Sequence, residues 1–119
     1  MQYMMMFYES AEDLACRRDE RGDAYRAGWY AYIGALRQSG IVVGSNGLQP
    51  PEVATTLRIR GEKRQVQDGP FADSKEQLGG FAIIDVPDVD AALEWASRAP
   101  CAATGGVEIR PVMQTPTTS

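Results

Sequence analysis

The sequence predicts an α+β protein, a ferredoxin-like βαββαβ sandwich with an added hairpin. The elements follow the order strand, helix, hairpin region, strand, helix, strand, so the chain makes two strand-helix-strand passes. Its 119 residues are enough for one hydrophobic core and too few for two domains of ordinary size. We therefore expect a single domain over residues 1–113 and a disordered tail, QTPTTS, over residues 114–119.

The N-terminal third predicts a strand and a helix. The apolar run QYMMMFY, residues 2–8, is typical of a strand covered on both faces, and Glu9 and Ser10 are expected to end it. The polar segment 11–23 either begins a helix or only leads into one. Gly40 is expected to end the main helix, in a left-handed conformation. That helix is predicted from apolar residues at helical spacing: Tyr25, Trp29, Tyr32, Ile33 and Leu36.

The middle of the chain predicts a short strand and a hairpin. IVVGS is compatible with a strand, and the following NGLQPPE, with Asn, Gly and two prolines, predicts a loop. The glycine-rich GSNG around Ser45 and Asn46 lacks the lysine and the helix of a phosphate-binding motif. Beyond it, TTLRIR alternates polar and apolar residues, GEK is a turn, and RQVQD returns, which predicts a hairpin with one solvated face.

The C-terminal third supplies the last three elements. FAIIDV is the strongest candidate for a buried strand. Asp88 is expected to cap a helix that Pro100 ends, with Val89, Ala92, Leu93 and Ala96 on one face. GVEIRPVM alternates in polarity and predicts a last strand near a sheet edge. Apolar residues on both faces of the central strand predict that a second subunit covers the open face of the sheet.

Composition excludes several classes of function. The net charge is -4 and the basic residues are scattered among acids, so direct binding of nucleic acid is not expected. No apolar run is long enough for a membrane span or resembles a signal peptide, so we expect a cytoplasmic protein with no membrane partner. The chain has no histidine and two distant cysteines, which leaves no catalytic triad, and we expect neither a metal nor a cofactor.

The densest mixture of charged and conformationally special residues is VQDGPFADSKEQLGGF, residues 66–81. Asp68, Gly69 and Pro70 form a turn sequence, Phe71 is expected to point back to the core, and SKEQL reads as one helical turn that ends at Gly79. This is the architectural interpretation. The alternative is a functional site. Gly79 and Gly80 would precede the strand and offer free N–H groups, and Asp68 is placed as a general base.

This segment also carries a resemblance to a known family. VQDGPFADSKEQLGGFAIIDVPDVDAALEWASRAP, with GLQPPEVATTLRIR before it and GGVEIRPV after it, resembles the DGPF-motif branch of the YCII-related family. The resemblance implies the dimeric α+β barrel superfamily, in which ferredoxin-like subunits pair through their sheets and leave a cleft near the dimer face. The DGPF aspartate corresponds to Asp68. The resemblance extends to the residues after it in the motif, which are candidates for ligand binding: Gly69, Pro70, Phe71, Lys75 and Glu76.

The resemblance implies function only in outline. The family includes a dehydrochlorinating, lyase-like enzyme, and shorter members have a proposed His-Asp active site. The histidine of that pair would fall near Trp29 or Tyr30, and this chain has none. DGPF-type proteins are also associated with extracytoplasmic-function sigma factors, which implies a regulatory setting.

Three hypotheses follow for the 66–81 segment. The first is a homodimer with a cleft for a small organic acid, in which Asp68 is the catalytic acid or base of a lyase-like elimination and Lys75 and Arg58 hold the anion. The second is a non-catalytic ligand sensor or regulatory accessory of a sigma factor, with the same residues used for recognition. The third is a purely architectural turn. Arg58 and Arg60 also fit a charged, protected hairpin edge.

Overall fold

A computed structural model describes residues 1–115 of the protein. Residues 116–119, most of the predicted tail, lie outside the described residues. None of the described helices is both long and apolar enough to cross a membrane. In chain order the elements are β1 (Gln2–Ser10), α1 (Ala11–Cys16), α2 (Asp23–Ser39), β2 (Val42–Gly47), β3 (Thr55–Arg60), β4 (Lys63–Asp68), β5 (Glu76–Asp85), α3 (Val89–Ser97) and β6 (Gly106–Pro111), with 3-10 turns at Glu20–Gly22 and Pro51–Val53.

Four strands form one antiparallel sheet in the order β2-β5-β1-β6, with the helices α2 and α3 packed on one face. This order, with a central β1 and crossovers through α2 and α3, is the ferredoxin-like arrangement, so the predicted α+β fold class is confirmed. The hairpin of β3 and β4 is inserted between β2 and β5 and forms a separate two-stranded sheet. The predicted added hairpin is therefore present.

β1 positions the residues that matter most for the site. Its side chains alternate, and Tyr3, Met5 and Phe7 are buried on the face that the helices cover. The strand does not stop before Glu9 as predicted, because Glu9 continues the alternation onto the buried face and is only 1% exposed. Burial of that carboxylate is possible because it has charged and hydrogen-bonding partners, described below.

The main helix runs as predicted, and the polar segment before it is partly helical. Ser10 caps the N-terminus of α1, because its hydroxyl accepts a hydrogen bond from the backbone N–H of Asp13 at 3.1 Å. α2 buries Tyr32 and Leu36 in the core and ends at Gly40, which has a φ of 79°. Trp29 and Ile33 on the same side are partly buried and pack against the core.

α3 is capped as predicted but buries a narrower face than expected. Asp88 Oδ1 accepts a hydrogen bond from Ala91 N at 2.9 Å. Ala92 and Ala96 are buried, whereas Val89 and Leu93 are 47% and 52% exposed. Small alanine side chains bring the helix close to the sheet, and the larger residues one turn apart point away from it.

The 66–81 segment departs from the prediction in three ways. SKEQL is not a helical turn, because β5 already begins at Glu76 and pairs with the end of β1. Phe71 does not point to the core, since its side chain is 70% exposed. Gly79 and Gly80 lie inside β5 and do not precede it. Pairing with β1 outweighs the local capping signal, because a full strand ladder satisfies more backbone groups than one helical turn.

Candidate functional site

A cavity of about 580 Å³ lies between α2 and the face of the sheet that the helices cover, at the side of β2 and β5. We call it the α2–sheet cavity. Its size is within the range of pockets that hold small molecules. The sheet contributes Phe7, Glu9, Ser45, Asn46, Gly47, Gly79 and Gly80, α2 contributes Tyr25, Arg26, Trp29, Tyr30, Ile33 and Arg37, and Arg17 follows α1.

The inner end of the cavity holds a buried carboxylate with two side-chain partners. Arg17 Nη2 donates to Glu9 Oε2 at 2.6 Å, and the Tyr25 hydroxyl donates to Glu9 Oε1 at 2.6 Å. Arg17 also donates to the backbone oxygens of Gly79 at 3.1 Å and Leu48 at 2.9 Å. Each carboxylate oxygen therefore has a fixed donor, and the guanidinium is held by backbone groups from two other segments.

Tyr25 remains a hydrogen-bond donor over the whole physiological pH range. Partial burial raises the pKa of its hydroxyl far above the ordinary value of 10.0, and its hydrogen bond to Glu9 raises the pKa further. The indole of Trp29 opposes this rise in the Tyr25 pKa. The neutral phenol is thus placed between the buried carboxylate and the cavity, where it can accept a proton from a ligand only by passing its own to Glu9.

Glycine on β5 makes room for the Glu9 cluster. The pairing of β1 with β5 shifts register between Phe7 and Tyr8, opposite Gly79. A Cβ on Gly79 would lie 1.5 Å from Glu9 Oε2 and 3.1 Å from Arg17 Nη2. Only glycine therefore allows the carboxylate and the guanidinium to occupy the space beside this strand.

Aromatic side chains form an apolar wall of the cavity that continues from Tyr25 at the polar end. Phe7 and Trp29 meet edge to face with ring centroids 5.0 Å apart, and Tyr25 meets Trp29 in the same way at 6.2 Å. Trp29 Nε1 is buried and has no hydrogen-bond partner among the described residues. Because this nitrogen is buried, the aromatic wall presents ring surface to the cavity, which suits a flat apolar ring.

Two further arginines lie on α2 beside the cavity, and they differ in their partners. Arg26 is fully engaged, because it donates to the backbone oxygens of Cys16, Arg17 and Asp19 and pairs with Asp23. Arg37 is exposed and pairs with no acidic side chain among the described residues. Arg37 is therefore the arginine of the cavity that can bind an anionic group of a ligand.

The predicted catalytic Asp68 lies at the end of β4, away from the lining of the α2–sheet cavity. It is exposed and pairs in register with Thr55. Gly69 has a φ of 104°, as the turn prediction requires, and its backbone is held by Ala54 O at 2.7 Å and the Thr56 hydroxyl at 2.8 Å. Pro70 follows it and is half-buried. The turn is well defined.

The other predicted binding residues are divided between the hairpin and β5. The Arg58 guanidinium stacks over the Phe71 ring, 4.4 Å from its centroid. Lys75 is exposed just before β5. Glu76 is the first residue of β5 and lines a shallow groove with Tyr8, Val107 and Glu108. The structure thus brings Arg58 and Phe71 together, and none of the predicted catalytic and binding residues lines the α2–sheet cavity. Gly79 and Gly80, which the functional interpretation also named, do line it.

Sequence reasoning missed Glu9, Arg17 and Tyr25 as a site. Glu9 continues the alternation of Tyr3, Met5 and Phe7, and a carboxylate in step with a buried face would have been the available signal. The sequence around Arg17 gave no such signal, because Arg17 lies in RRDERGD, a stretch of mixed basic and acidic residues that is typical of an exposed segment. Among residues 1–115, no group of three or more His, Cys, Asp or Glu side chains is arranged to hold a metal.

Comparison with known proteins agrees with the fold. The chain is similar in structure to 5-chloro-2-hydroxyhydroquinone dehydrochlorinase (TftG) from Burkholderia phenoliruptrix AC1100, solved in complex with 2,5-dihydroxybenzoquinone. The TM-score is 0.55 at 17% sequence identity, over 97% of this chain and 96% of that one. At this identity the likeness concerns the fold.

The sequence comparisons concern the family. An uncharacterized protein of Rhizobium meliloti is 38% identical over 86 residues, which are 67% of this chain and 69% of that protein. The YCII-related domain matches residues 1–116. A match over nearly the whole chain, with the ferredoxin-like fold to which the sequence resemblance pointed, means that this protein belongs to the YCII-related domain family.

Proposed function

We propose that the protein binds a small, flat, anionic organic molecule in the α2–sheet cavity and catalyses a lyase-like elimination on it. The observation that carries the proposal is the buried Glu9, bonded to Tyr25 and Arg17, at the inner end of a cavity with an aromatic wall. Buried ionisable groups in a concave site are costly to fold, and they are concentrated at functional sites.

The cavity offers complementary contacts to such a ligand. A ring would pack against Phe7 and Trp29, and a hydroxyl on it would hydrogen-bond to the Tyr25 oxygen. Arg37 would pair with an anionic substituent at the side of the cavity. The dehydrochlorinase of similar fold is named for a chlorinated hydroxyhydroquinone and was solved with a dihydroxybenzoquinone. Hydroxylated quinones and hydroquinones are therefore the first compounds to test.

The proposed chemistry is a proton relay. A ligand hydroxyl at the Tyr25 oxygen gives up its proton as the Tyr25 proton moves to Glu9 Oε1. The substrate form is the keto tautomer of the ring, in which the carbon that bears the leaving group is tetrahedral and lies next to the enol double bond. The electron pair released on the enol oxygen forms a carbonyl, the double bond shifts by one position, and the leaving group departs from that carbon with its bonding electrons. Arg17 stays paired with Oε2 throughout. The relay requires no histidine, which this chain lacks.

Homodimerisation and the role of Asp68 belong to the same proposal. The face of the sheet that the helices leave open would be covered by a second copy of the chain. In that assembly Asp68, Lys75 and Arg58 of the projecting segment are candidates for contacts to a ligand or to the partner. Asp68 as the acid or base stays a prediction.

A second candidate function is ligand sensing without turnover, as a regulatory accessory protein associated with a sigma factor. The observation that favours it is the pairing of Glu9 with Arg17 at 2.6 Å, which together with the Tyr25 hydroxyl occupies both carboxylate oxygens. In that case the cavity recognises the same class of ligand and leaves it unchanged.

The test combines ligand binding with product analysis. Thermal stability of the wild type is measured against 2,5-dihydroxybenzoquinone, chlorinated hydroquinones and small organic acids, and every stabilising compound is checked for conversion by mass spectrometry. Tyr25→Phe, Asp68→Asn and Arg37→Gln are measured in parallel. We expect Tyr25→Phe to abolish conversion with binding retained, and Arg37→Gln to weaken binding about tenfold.

Each outcome separates the hypotheses. Conversion that is lost in Tyr25→Phe and kept in Asp68→Asn places the chemistry at the α2–sheet cavity, and the reverse places it at Asp68. Stabilisation without conversion favours the sensor. If no compound binds and Asp68→Asn only lowers stability, the proposal fails and the DGPF segment is architectural.

A further inference from the structure

The floor of the α2–sheet cavity contains two paired glycines, where β2 meets β5. Gly47 is the register partner of Gly80, and Ser45 is the register partner of Ala82. Paired residues of an antiparallel ladder project to the same side, and Ala82 is fully buried on the face that the helices cover. The positions of Gly47 and Ser45 therefore face α2, and both residues line the cavity.

The two glycines of this floor differ in what surrounds them. A Cβ on Gly80 would lie 3.0 Å from Asn46 O and 3.3 Å from Gly47 Cα, so the neighbouring strand leaves little room for a side chain. A Cβ on Gly47 would meet nothing within 4 Å beyond its chain neighbours, and its φ is not positive. Glycine in a strand often marks a place that a ligand approaches closely. The space above Gly47 is thus open to a ligand.

Polar groups lie at the two ends of this open floor. At the inner end, the Arg17 guanidinium that pairs with Glu9 also donates to the backbone oxygen of Leu48, the residue after Gly47. The Ser45 hydroxyl is at the other end, three residues before Leu48. An extended chain rises about 3.3 Å per residue, so the two ends are about 10 Å apart. This span suits one six-membered ring with polar groups at opposite positions and a hydrogen bond of about 2.8 Å at each end.

The two ends of the floor differ in charge. Glu9 at the inner end repels an anionic group, and it already balances the charge of Arg17. Tyr25 is at this end because it bonds to Glu9, and Arg37 is twelve residues, or about 18 Å, further along α2. Because β2 begins three residues after α2 ends, Arg37 lies on the Ser45 side of the cavity. A ligand hydroxyl therefore suits the Tyr25 end, and an anionic group suits the Ser45 end.

We propose that Ser45 determines the specificity of the α2–sheet cavity, which selects aromatic anions with a hydroxyl and an anionic group at opposite positions of one ring. The ring lies over Gly47, its hydroxyl bonds to Tyr25, and the Ser45 hydroxyl donates to the anionic group beside Arg37. The inference rests on the proposed function and adds the substitution pattern that the site recognises. An isomer with its two polar groups closer together reaches only one end of the floor.

The test compares 4-hydroxybenzoate with 3-hydroxybenzoate, which have the same size and charge and differ in the distance between their polar groups. Dissociation constants are measured by isothermal titration calorimetry. We expect the wild type to bind the 4-isomer about tenfold more tightly than the 3-isomer. Ser45→Ala should weaken binding of the 4-isomer about tenfold and leave the 3-isomer unchanged, so that the preference is lost. Ser97→Ala is the control, because the Ser97 hydroxyl donates to Glu94 O on the exposed side of α3.

A second pair of variants tests whether the ring lies over Gly47. Gly47→Val fills the open space of the floor, and we expect it to weaken binding of both isomers by about tenfold or more without lowering the midpoint of thermal unfolding. Gly44→Val is the control. It adds the same side chain to the same strand, where a Cβ also meets nothing within 4 Å, but Gly44 pairs with Ile83 and does not line the cavity. The control should bind both isomers as the wild type does.

The outcomes separate failure of this inference from failure of the proposed function. Equal affinity of the wild type for the two isomers, or a preference that Ser45→Ala leaves intact, overturns the inference and leaves ligand binding in the cavity. Binding of hydroxylated quinones without binding of either hydroxybenzoate has the same meaning. A wild type that binds neither the quinones nor the hydroxybenzoates overturns both. Unchanged binding in Gly47→Val overturns the position of the ring over the glycine floor.

Discussion

Glu9 needs its partners in order to be buried, because a carboxylate removed from water must be paired or hydrogen-bonded. Glu9→Gln would leave the Arg17 guanidinium without its counter-charge. We expect it to lower the free energy of unfolding by about 2–4 kcal/mol, below the value for a fully buried pair because Arg17 is 24% exposed. Denaturant unfolding at neutral pH measures this, with the exposed Glu12→Gln as the control. A loss equal to that of the control would contradict the role of the pair.

Cys101 makes stability sensitive to alkaline pH. Burial raises the pKa of its thiol from 9.0 to about 12, so between these values the folded state keeps a proton that the unfolded state has lost. Stability is therefore fully present below pH 9 and falls as pH rises toward 12, by up to about 1.4 kcal/mol per pH unit for this group. The partly buried Tyr25 and the buried Tyr32, whose pKa values are also raised, add to the loss of stability above pH 10.

The pH dependence is tested with Cys101→Ala. Unfolding curves recorded from pH 7 to pH 11 should show a shallower decline between pH 9 and pH 10 in the variant than in the wild type. Cys16→Ala is the control. Both cysteines are free thiols, but Cys16 is only partly buried whereas Cys101 is buried. Equal slopes in the wild type and in Cys101→Ala would mean that the thiol ionises alike in both states.

At the scale of elements, β5 shapes the site through its irregular pairing with β1. Gly79→Ala would drive a methyl group into the Glu9 carboxylate, and we expect it to destabilise the fold by about 2 kcal/mol or more and to weaken ligand binding. Gly34→Ala in α2 is the control, because its added Cβ has no contact within 4 Å beyond its own chain neighbours and the backbone of its helix. This substitution should stabilise the helix by about 0.5–1 kcal/mol. Thermal unfolding of both variants decides the comparison.

At the scale of the whole molecule, the β3–β4 hairpin is a separate two-stranded sheet, which predicts local opening and proteolysis there. The hairpin contains four sites for trypsin, at Arg58, Arg60, Lys63 and Arg64. We expect cleavage at these sites to be faster than cleavage at Arg37, which is exposed but lies within α2 and serves as the internal control. Mass spectrometry of the fragments measures both rates, and equal rates would contradict the prediction.

Prediction from sequence succeeded where local pattern and tertiary structure agree. The apolar spacing from Trp29 to Leu36, the cap at Asp88 and the turn at Gly69 were all found where periodicity and turn chemistry indicate. It failed over residues 73–79, where a capping pattern competes with strand pairing. It also failed at Phe71, whose apolar side chain was assigned to the core and instead stacks with Arg58 on the surface.

The sequence by itself determined the fold class, the order of the elements and the absence of histidine chemistry, since these depend on periodicity and on residue types. Only the tertiary structure brought Glu9, Arg17, Tyr25 and Gly79 together, because their approach depends on strand register and on the crossing of α2 over the sheet. The same applies to the hairpin. Alternation predicts two faces, but only the packed molecule leaves the apolar one uncovered.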